Sequence, residues 1–260
     1  SSPTQMLIVN ADDFGMASSV NRAIAECHRL GNVTSTTMTV SMPGSEEAAV
    51  LSRSLPNLGI GLHFSLTEGR PLAGGATLLA PTGGFPHRGA LMKRLLVGRV
   101  AARDIRLEFE AQLERVHAMG VKPTHVDSHE HVHMSPAVFR AIAPAVARAG
   151  LPMRLVCPPW ELETAARRPL KFLKQLILRL NSAWFRGAEG IRSNDLLISI
   201  HDLPDQEGFS RSDYDLLLLR VAGAGIVELM VHPYLPDAGL RALYGPDYES
   251  RRPFIAKCER

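Results

Sequence analysis

The first residues of the chain show an apolar pattern that changes from strand-like to helical within about 30 positions. Residues 6–10 (MLIVN) form a short apolar run that is typical of a buried strand. A polar turn follows, and between residues 20 and 30 the apolar side chains recur at helical spacing until Gly31. We therefore predict a strand–loop–helix unit with the pair Asp12–Asp13 at the carboxyl end of the strand.

The same alternation continues along the rest of the chain. Further strands are predicted over 33–40, 58–66, 124–127, 153–157 and 226–231, and helices over 46–54, from Asp104 onward and over 135–150. Strands that alternate with helices predict βαβ units around a parallel sheet, here a TIM-like (β/α) barrel. In such a barrel the functional site lies at the carboxyl ends of the strands.

The composition fits one globular α/β domain over 1–260. The chain has 260 residues, 45% of them hydrophobic, and no linker divides it. Residues 67–90 are rich in glycine and proline and predict a long loop or lid. A net charge of only +3 does not indicate a nucleic-acid partner. Three scattered cysteines, no transmembrane-length apolar run and no signal-peptide pattern lead us to expect a cytoplasmic protein.

Four of the ten histidines lie within the nine residues 125–133. Alternate residues of an extended strand share one face, so a strand here would direct five potential ligands the same way: His125, Asp127, His129, His131 and His133. Imidazole and carboxylate together form a common divalent-metal set. One ion cannot use them all, so some must orient a ligand or contact substrate. The alternative is a polar strand end with solvated histidines.

Three other positions carry candidate chemistry at predicted strand ends. In the Asp12–Asp13 pair one carboxylate can bind a metal while the other accepts a proton, although an aspartate pair also commonly marks a turn. His63 lies in an apolar strand and is either a third metal ligand or a core histidine. His232 follows apolar strand residues, a suitable position for an acid or base near neutral pH.

These residues together resemble the YdjC-like carbohydrate deacetylase family. The matching segments are Leu7–Gly15 (LIVNADDFG), Val33–Thr37 (VTSTT), Gly59–His63 (GIGLH), Lys122–Met134 (KPTHVDSHEHVHM) and Glu228–Pro233 (ELMVHP). The resemblance is strongest to the chitooligosaccharide deacetylase branch, and a related branch acts on the amino-sugar head group of hopanoid glycolipids. It implies an irregular βα barrel that removes an N-acetyl group from an amino sugar.

The resemblance also implies roles for individual residues. Asp13, His63 and His129 would hold one divalent metal ion, for which two imidazoles and a carboxylate favour Zn²⁺ and leave Mg²⁺ open. Asp12 would be the general base and His232 the general acid. Arg154 lies where the family often has an arginine near the site. The other members of the cluster would contact substrate or orient the metal ligands; they are His125, Asp127, His131 and His133.

Several alternatives stay open at this point. A metal-dependent phosphoesterase on a similar barrel and a non-catalytic carbohydrate-binding protein are the competing functions, and a homo-oligomer is compatible with the sequence. The apolar and basic segment Leu170–Phe185 favours an outer barrel helix over a membrane-facing one. The family's chain is expected to continue past Arg251–Pro253, which would make the C-terminal end of this barrel abbreviated.

Overall fold

A computed structural model describes residues 5–160, 169–203, 208–235 and 237–255. Within these ranges six parallel strands form one sheet in the order β4-β3-β2-β1-β6-β5. The strands are β1 (Met6–Phe14), β2 (Ser35–Met38), β3 (Gly59–Phe64), β4 (Val126–Ser128), β5 (Leu196–Ser199) and β6 (Ile226–Val231). The predicted parallel α/β architecture is confirmed.

Helices follow or connect these strands. They are α1 (Ser18–Arg29), α2 (Ser45–Ser52), α3 (Arg88–Leu96), α4 (Ala102–Ala118), α5 (Pro136–Arg148), α6 (Pro169–Phe185), α7 (Arg211–Leu219), α8 (Ala238–Tyr244) and α9 (Tyr248–Ile255). Their apolar faces pack on the sheet, as where Phe109 of α4 meets Phe64 of β3 edge to face at 5.3 Å. Among the described residues no helix is long and apolar enough to cross a membrane.

The predicted strand 153–157 is a connecting segment that joins the two edge strands. On one side the Arg154 amide donates to the Val126 carbonyl of β4 at 2.9 Å. On the other side the Leu197 amide of β5 donates to the Cys157 carbonyl at 2.9 Å. The Asn194 side chain bonds the amide and the carbonyl of Leu155 in place of a regular ladder. Hydrogen bonds therefore connect β4 to β5 through this segment, which gives the curled sheet its barrel form.

Strand β1 extends further than predicted and contains both aspartates. Its pairing with β2 shifts register between Ala11 and Phe14, and Phe14 then pairs with Met38. Such an irregularity inserts extra residues into a strand and turns side chains toward a site. The polar residues after position 10, which were predicted to form a turn, therefore form a bulge within the strand. Burial of Phe14 at its far end stabilises this conformation.

The glycine-rich loop after β3 is fixed to α4 by carboxylates. Its regular structure is one 3₁₀ turn, Ala76–Leu78, and its predicted last three residues belong to α3. Buried Glu108 accepts hydrogen bonds from the amides of Leu72 and Ala73 at 3.0 and 2.9 Å. Asp104 accepts from the amide and hydroxyl of Thr77. These carboxylates accept hydrogen bonds from loop amides that have no partner in a helix or sheet.

Candidate metal centre

Three buried side chains meet at the carboxyl ends of β1, β3 and β4. Asp13 Oδ1 lies 3.2 Å from His63 Nε2 and 3.1 Å from His129 Nδ1, and the three candidate ligand atoms are all within 4.8 Å of one another. Nitrogen and oxygen ligands lie about 2.0–2.2 Å from zinc, so two ligands of the same ion are roughly 3 Å apart. The donor types and their spacing therefore fit one divalent cation.

The backbone of Asp13 is strained in a way that serves this arrangement. Its φ of 73° is left-handed, a conformation that non-glycine residues adopt rarely and that is concentrated at functional sites. Gly15 is also left-handed, and a Cβ there would come within 2.7 Å of the Thr39 carbonyl oxygen. The bulge thus requires glycine at position 15 and directs the Asp13 carboxylate toward the histidines.

The second nitrogen of His63 has a carboxylate partner. His63 Nδ1 lies 2.6 Å from Asp127 Oδ1, and the Thr37 hydroxyl donates to Asp127 Oδ2 at 2.9 Å. A carboxylate on the far side of an imidazole fixes its tautomer and is the usual outer partner of a metal-ligating histidine. Burial works against a charge on His63, but Asp127 and Asp13 outweigh it and raise its pKa well above the usual range.

A second potential cluster, Asp12 with His63 and Asp127, has similar spacing but different electrostatics. Both of its carboxylates bind the guanidinium of Arg154, whose positive charge opposes a cation at that position. Asp13 has no such ion pair within the described chain; its partners are two imidazoles and the Tyr234 hydroxyl. The cluster of Asp13, His63 and His129 is therefore the better cation site.

Arg154 links three buried carboxylates. Its guanidinium binds Asp12 at two points, Nη2 to Oδ1 at 2.6 Å and Nη1 to Oδ2 at 2.8 Å. It also contacts Asp127 Oδ2 at 2.8 Å and Glu228 Oε1 through Nε at 2.8 Å. Burial alone would raise the pKa of Asp12, but Arg154 outweighs it and holds that pKa well below the usual range. Asp12 is consequently ionised and fixed in orientation.

Glu228 is a member of this network that sequence reasoning left without a role. Burial raises its pKa, and the Arg154 charge offsets that effect only in part. The signal was present, because Glu228 is the single charged residue in the apolar strand β6 (IVELMV) and a buried carboxylate needs a cationic or hydrogen-bonded partner. The partner, Arg154, is 74 positions away and could not be identified from the pattern.

His232 follows β6 and faces Asp12. Its Nε2 lies 3.9 Å from Asp12 Oδ2. Its ring meets His201 and Phe254 edge to face at 5.2 and 5.1 Å, and Phe254 stacks on His201 at 4.8 Å. Phe254 belongs to α9, so the C-terminal helix forms one wall beside His232. The predicted set of Asp12, Asp13, His63, His129 and His232 is thus assembled at one end of the barrel.

Tyr234 is a further site residue that the sequence did not reveal. It is almost fully buried, and its hydroxyl donates to Asp13 Oδ2, the oxygen that does not face the histidines. Each oxygen of Asp13 therefore has a defined partner. A separate ion pair joins Arg251 of α9 to Glu68 of the loop, and Glu68 Oε1 lies 3.9 Å from His129 Nε2.

The expectation that alternate histidines of the 125–133 run share one face is wrong. Strand β4 ends at Ser128, and residues His129–Met134 form a 3₁₀ turn in which Glu130 and His131 have left-handed φ values of 51° and 56°. Strand periodicity therefore ends at Ser128, inside the run, and does not extend to its last three histidines. Of the run, His129 reaches Asp13 and Asp127 reaches His63.

The remaining histidines of the run occupy different environments. His125 Nε2 lies 3.0 Å from Asn10 Oδ1, and His133 bonds Ser128 through Nδ1 and the Arg154 carbonyl through Nε2. Burial lowers the pKa of both His125 and His133 to about 4, so both rings are neutral at physiological pH. His131 lines a neighbouring cavity of about 920 Å³ together with Ser199, His201 and Met230.

Comparison with known proteins identifies the family. The sequence profile described as YdjC-like protein matches residues 6–253. The chain belongs to the YdjC-like family. The carbohydrate deacetylase of Geobacillus stearothermophilus is 47% identical over 151 residues, which are 57% of this chain and 59% of that relative. The alignment with it thus spans less than two thirds of its length. The chitooligosaccharide deacetylase of Serratia marcescens is 35% identical over 90% of this chain and 83% of its own.

A solved structure has the same YdjC-like architecture. The crystal structure of an Enterococcus faecalis V583 protein named for cellobiose-phosphate cleavage superposes with a TM-score of 0.71 at 25% identity. The superposition covers 98% of this chain and 91% of that protein. The predicted fold and family are both confirmed.

Proposed function

We propose that this chain is a metal-dependent deacetylase that hydrolyses the N-acetyl group of an amino sugar to acetate and a free amine. The observation that carries the proposal is the position of an ionised, Arg154-held Asp12 between a three-residue cation site and His232. The names of the relatives, carbohydrate and chitooligosaccharide deacetylases, support the same reaction class.

Asp13, His63 and His129 would hold one divalent ion. Two imidazoles and one carboxylate with open positions suit Zn²⁺, and Mg²⁺ is the second choice because it prefers oxygen ligands. When bound, such an ion polarises an amide carbonyl and makes a water molecule more acidic. Asp127 holds His63 through Nδ1 so that Nε2 faces the ion site.

Asp12 would accept the proton of the attacking water. It is adjacent to the ligand Asp13 but is free of the cation cluster, because both of its oxygens bind Arg154. The ion pair keeps Asp12 deprotonated and in one rotamer, at some loss of basicity. Glu228 shares the charge of Arg154 and thereby limits that loss.

His232 would donate a proton to the leaving nitrogen. Amide hydrolysis needs such a donor because an amide anion is a very poor leaving group. The 3.9 Å separation of His232 Nε2 and Asp12 Oδ2 lets both residues act on one bound N-acetyl group. The site is buried, which keeps these groups in fixed positions in a low dielectric.

Acetate release is the direct test. The purified chain loaded with Zn²⁺ should release acetate from N-acetylated chitooligosaccharides or from N-acetylglucosamine glycosides, and a chelator should stop the release. Asp12→Asn should lose turnover by about 10²-fold or more while keeping the metal. Asp215→Asn, an equivalent change on the outer surface of α7, is the matched control.

Two results would overturn the proposal. One is the absence of acetate release on every amino-sugar substrate by metal-loaded protein. The other is phosphate release from phosphoesters with two or three ions per chain by elemental analysis, which is the pattern of multinuclear phosphoesterases. One ion per chain with acetate release supports the deacetylase.

A further inference from the structure

Helix α6 exposes an apolar stripe to solvent. Five large apolar side chains recur every three or four residues and are between 49% and 83% exposed, namely Leu170, Leu173, Ile177, Leu180 and Trp184. The buried residues of this helix include polar Gln175 and Ser182. The sequence favoured an outer barrel helix over a membrane-facing one, but the exposed side of α6 is largely apolar.

The C-terminal end of helix α3 carries a similar surface. Leu96 and Val97 are 88% and 59% exposed. Leu96 and the α6 residues Leu170, Leu173 and Ile177 line the same cavity of about 920 Å³. The two helices therefore flank one opening, and we call their exposed residues together the α3–α6 face.

The two segments that form this face carry basic and no acidic side chains, although Asp202 also lines the cavity and Arg186 pairs with Asp195. Residues 88–99 and 169–186 contain eight basic and no acidic side chains, whereas the whole chain has 29 basic and 26 acidic residues. The basic residues are Arg88, Lys93, Arg94, Arg99, Lys171, Lys174, Arg179 and Arg186. Lys93 and Lys174 are exposed beside the apolar stripe. Exposed apolar side chains interspersed with cations are the combination that binds anionic lipid headgroups.

We propose that the α3–α6 face docks on the surface of an anionic lipid bilayer. The leucines, Ile177 and Trp184 lie in the headgroup region, and the lysines pair with lipid phosphates. A second copy of the chain fits this face poorly, because it would oppose cations with cations. In the docked orientation the cavity, which His131 and Met230 also line, opens toward the lipid.

Sedimentation with vesicles tests the docking without any measurement of activity. The intact chain should bind phosphatidylcholine vesicles that contain about one third phosphatidylglycerol and should bind pure phosphatidylcholine vesicles about tenfold or more less tightly. The double variant Leu173→Glu/Ile177→Glu should lose binding by about tenfold or more. The matched control, Leu216→Glu/Leu219→Glu, alters exposed leucines of α7 and should bind like the parent.

A charge variant separates lipid docking from general stickiness. Lys93→Gln/Lys174→Gln should weaken binding to the anionic vesicles by about fivefold per lysine, and salt should weaken the parent in the same way. Circular dichroism confirms that each variant is folded. The proposal is overturned if the parent does not bind anionic vesicles, if the α7 control loses binding equally, or if light scattering shows a dimer that Leu173→Glu/Ile177→Glu dissociates.

Discussion

Arg154 holds Asp12 by two parallel hydrogen bonds, Nη2 to Oδ1 at 2.6 Å and Nη1 to Oδ2 at 2.8 Å, with both side chains almost fully buried. The fork geometry fixes the plane of the carboxylate, which a single-point cation cannot do. The same guanidinium contacts Asp127 and Glu228. Arg154 thus orients the proposed base and, through Asp127 and His63, the proposed metal site.

Two replacements of Arg154 should therefore distinguish its role in orienting Asp12 from the effect of its positive charge. Arg154→Lys keeps a cation but loses the two-point grip, and we expect kcat to fall about 10²-fold while the protein still binds its metal. Arg154→Met leaves three buried carboxylates without their cation and should lower the free energy of unfolding by about 3–5 kcal/mol. Steady-state kinetics and urea unfolding measure the two effects. Parental kcat in Arg154→Lys would contradict the orienting role.

Asp127 provides a test of the ligand assignment. Asp127→Asn removes the carboxylate behind His63 Nδ1, and we expect the affinity for Zn²⁺ to fall about 10- to 100-fold. Asp13→Asn should weaken metal binding far more, and Asp12→Asn should change it little. Competition against a chromophoric chelator gives the three affinities. A larger loss for Asp12→Asn than for Asp13→Asn would instead favour the cluster that contains Asp12 and Asp127.

The main strands and helices could be predicted because the spacing of apolar residues along the chain differs between the two kinds of element. Strand β6 was predicted at its observed bounds, and α6 differs from its predicted apolar segment by one residue. The short β5 was not predicted, because four residues give too little pattern to distinguish a buried strand from a helix. The segment 153–157 was predicted as a strand because its composition is that of one, but Asn194 supplies part of its pairing.

The site was predictable where ligands cluster in sequence and not where they meet only in space. His129 and Asp127 were found from the density of histidines. The prediction that all five potential ligands of the run share one face was wrong, because the strand ends at Ser128 and Glu130 and His131 are left-handed. Glu228 and Tyr234 reach the site from β6 and the residues that follow it, and each appears in the sequence as an isolated residue. Their partners are set by the closure of the sheet.

Phe254 should act as a positioning residue for His232. Its ring meets His232 at 5.1 Å and stacks on His201 at 4.8 Å, so Phe254→Ala leaves space into which His232 can turn. We expect kcat to fall about tenfold, with a smaller change in KM, because proton donation depends on the orientation of His232 more than substrate binding does. Phe254→Tyr, which keeps the ring, should retain most activity. Loss of kcat in both variants alike would contradict a packing role.

His133 should make the stability of the folded chain depend on pH in the mildly acidic range. Its ring is buried between the Ser128 hydroxyl and the Arg154 carbonyl, and burial lowers its pKa from 6.5 to about 4. Between these values the unfolded chain binds a proton at this position that the folded chain excludes, so stability is fully present above the unfolded pKa of 6.5 and decreases as pH falls toward 4. The contribution of one such group is up to ~3 kcal/mol.

His133→Gln should be less stable at about pH 8, because a buried ring is lost, but its free energy of unfolding should fall less steeply with acid. Urea unfolding at several pH values measures both slopes, and His117→Gln, at an exposed histidine of α4, should keep the parental slope. If His133→Gln retained the full parental slope, the protons taken up on unfolding would belong to other groups, His125 first among them, since its pKa is lowered to the same value.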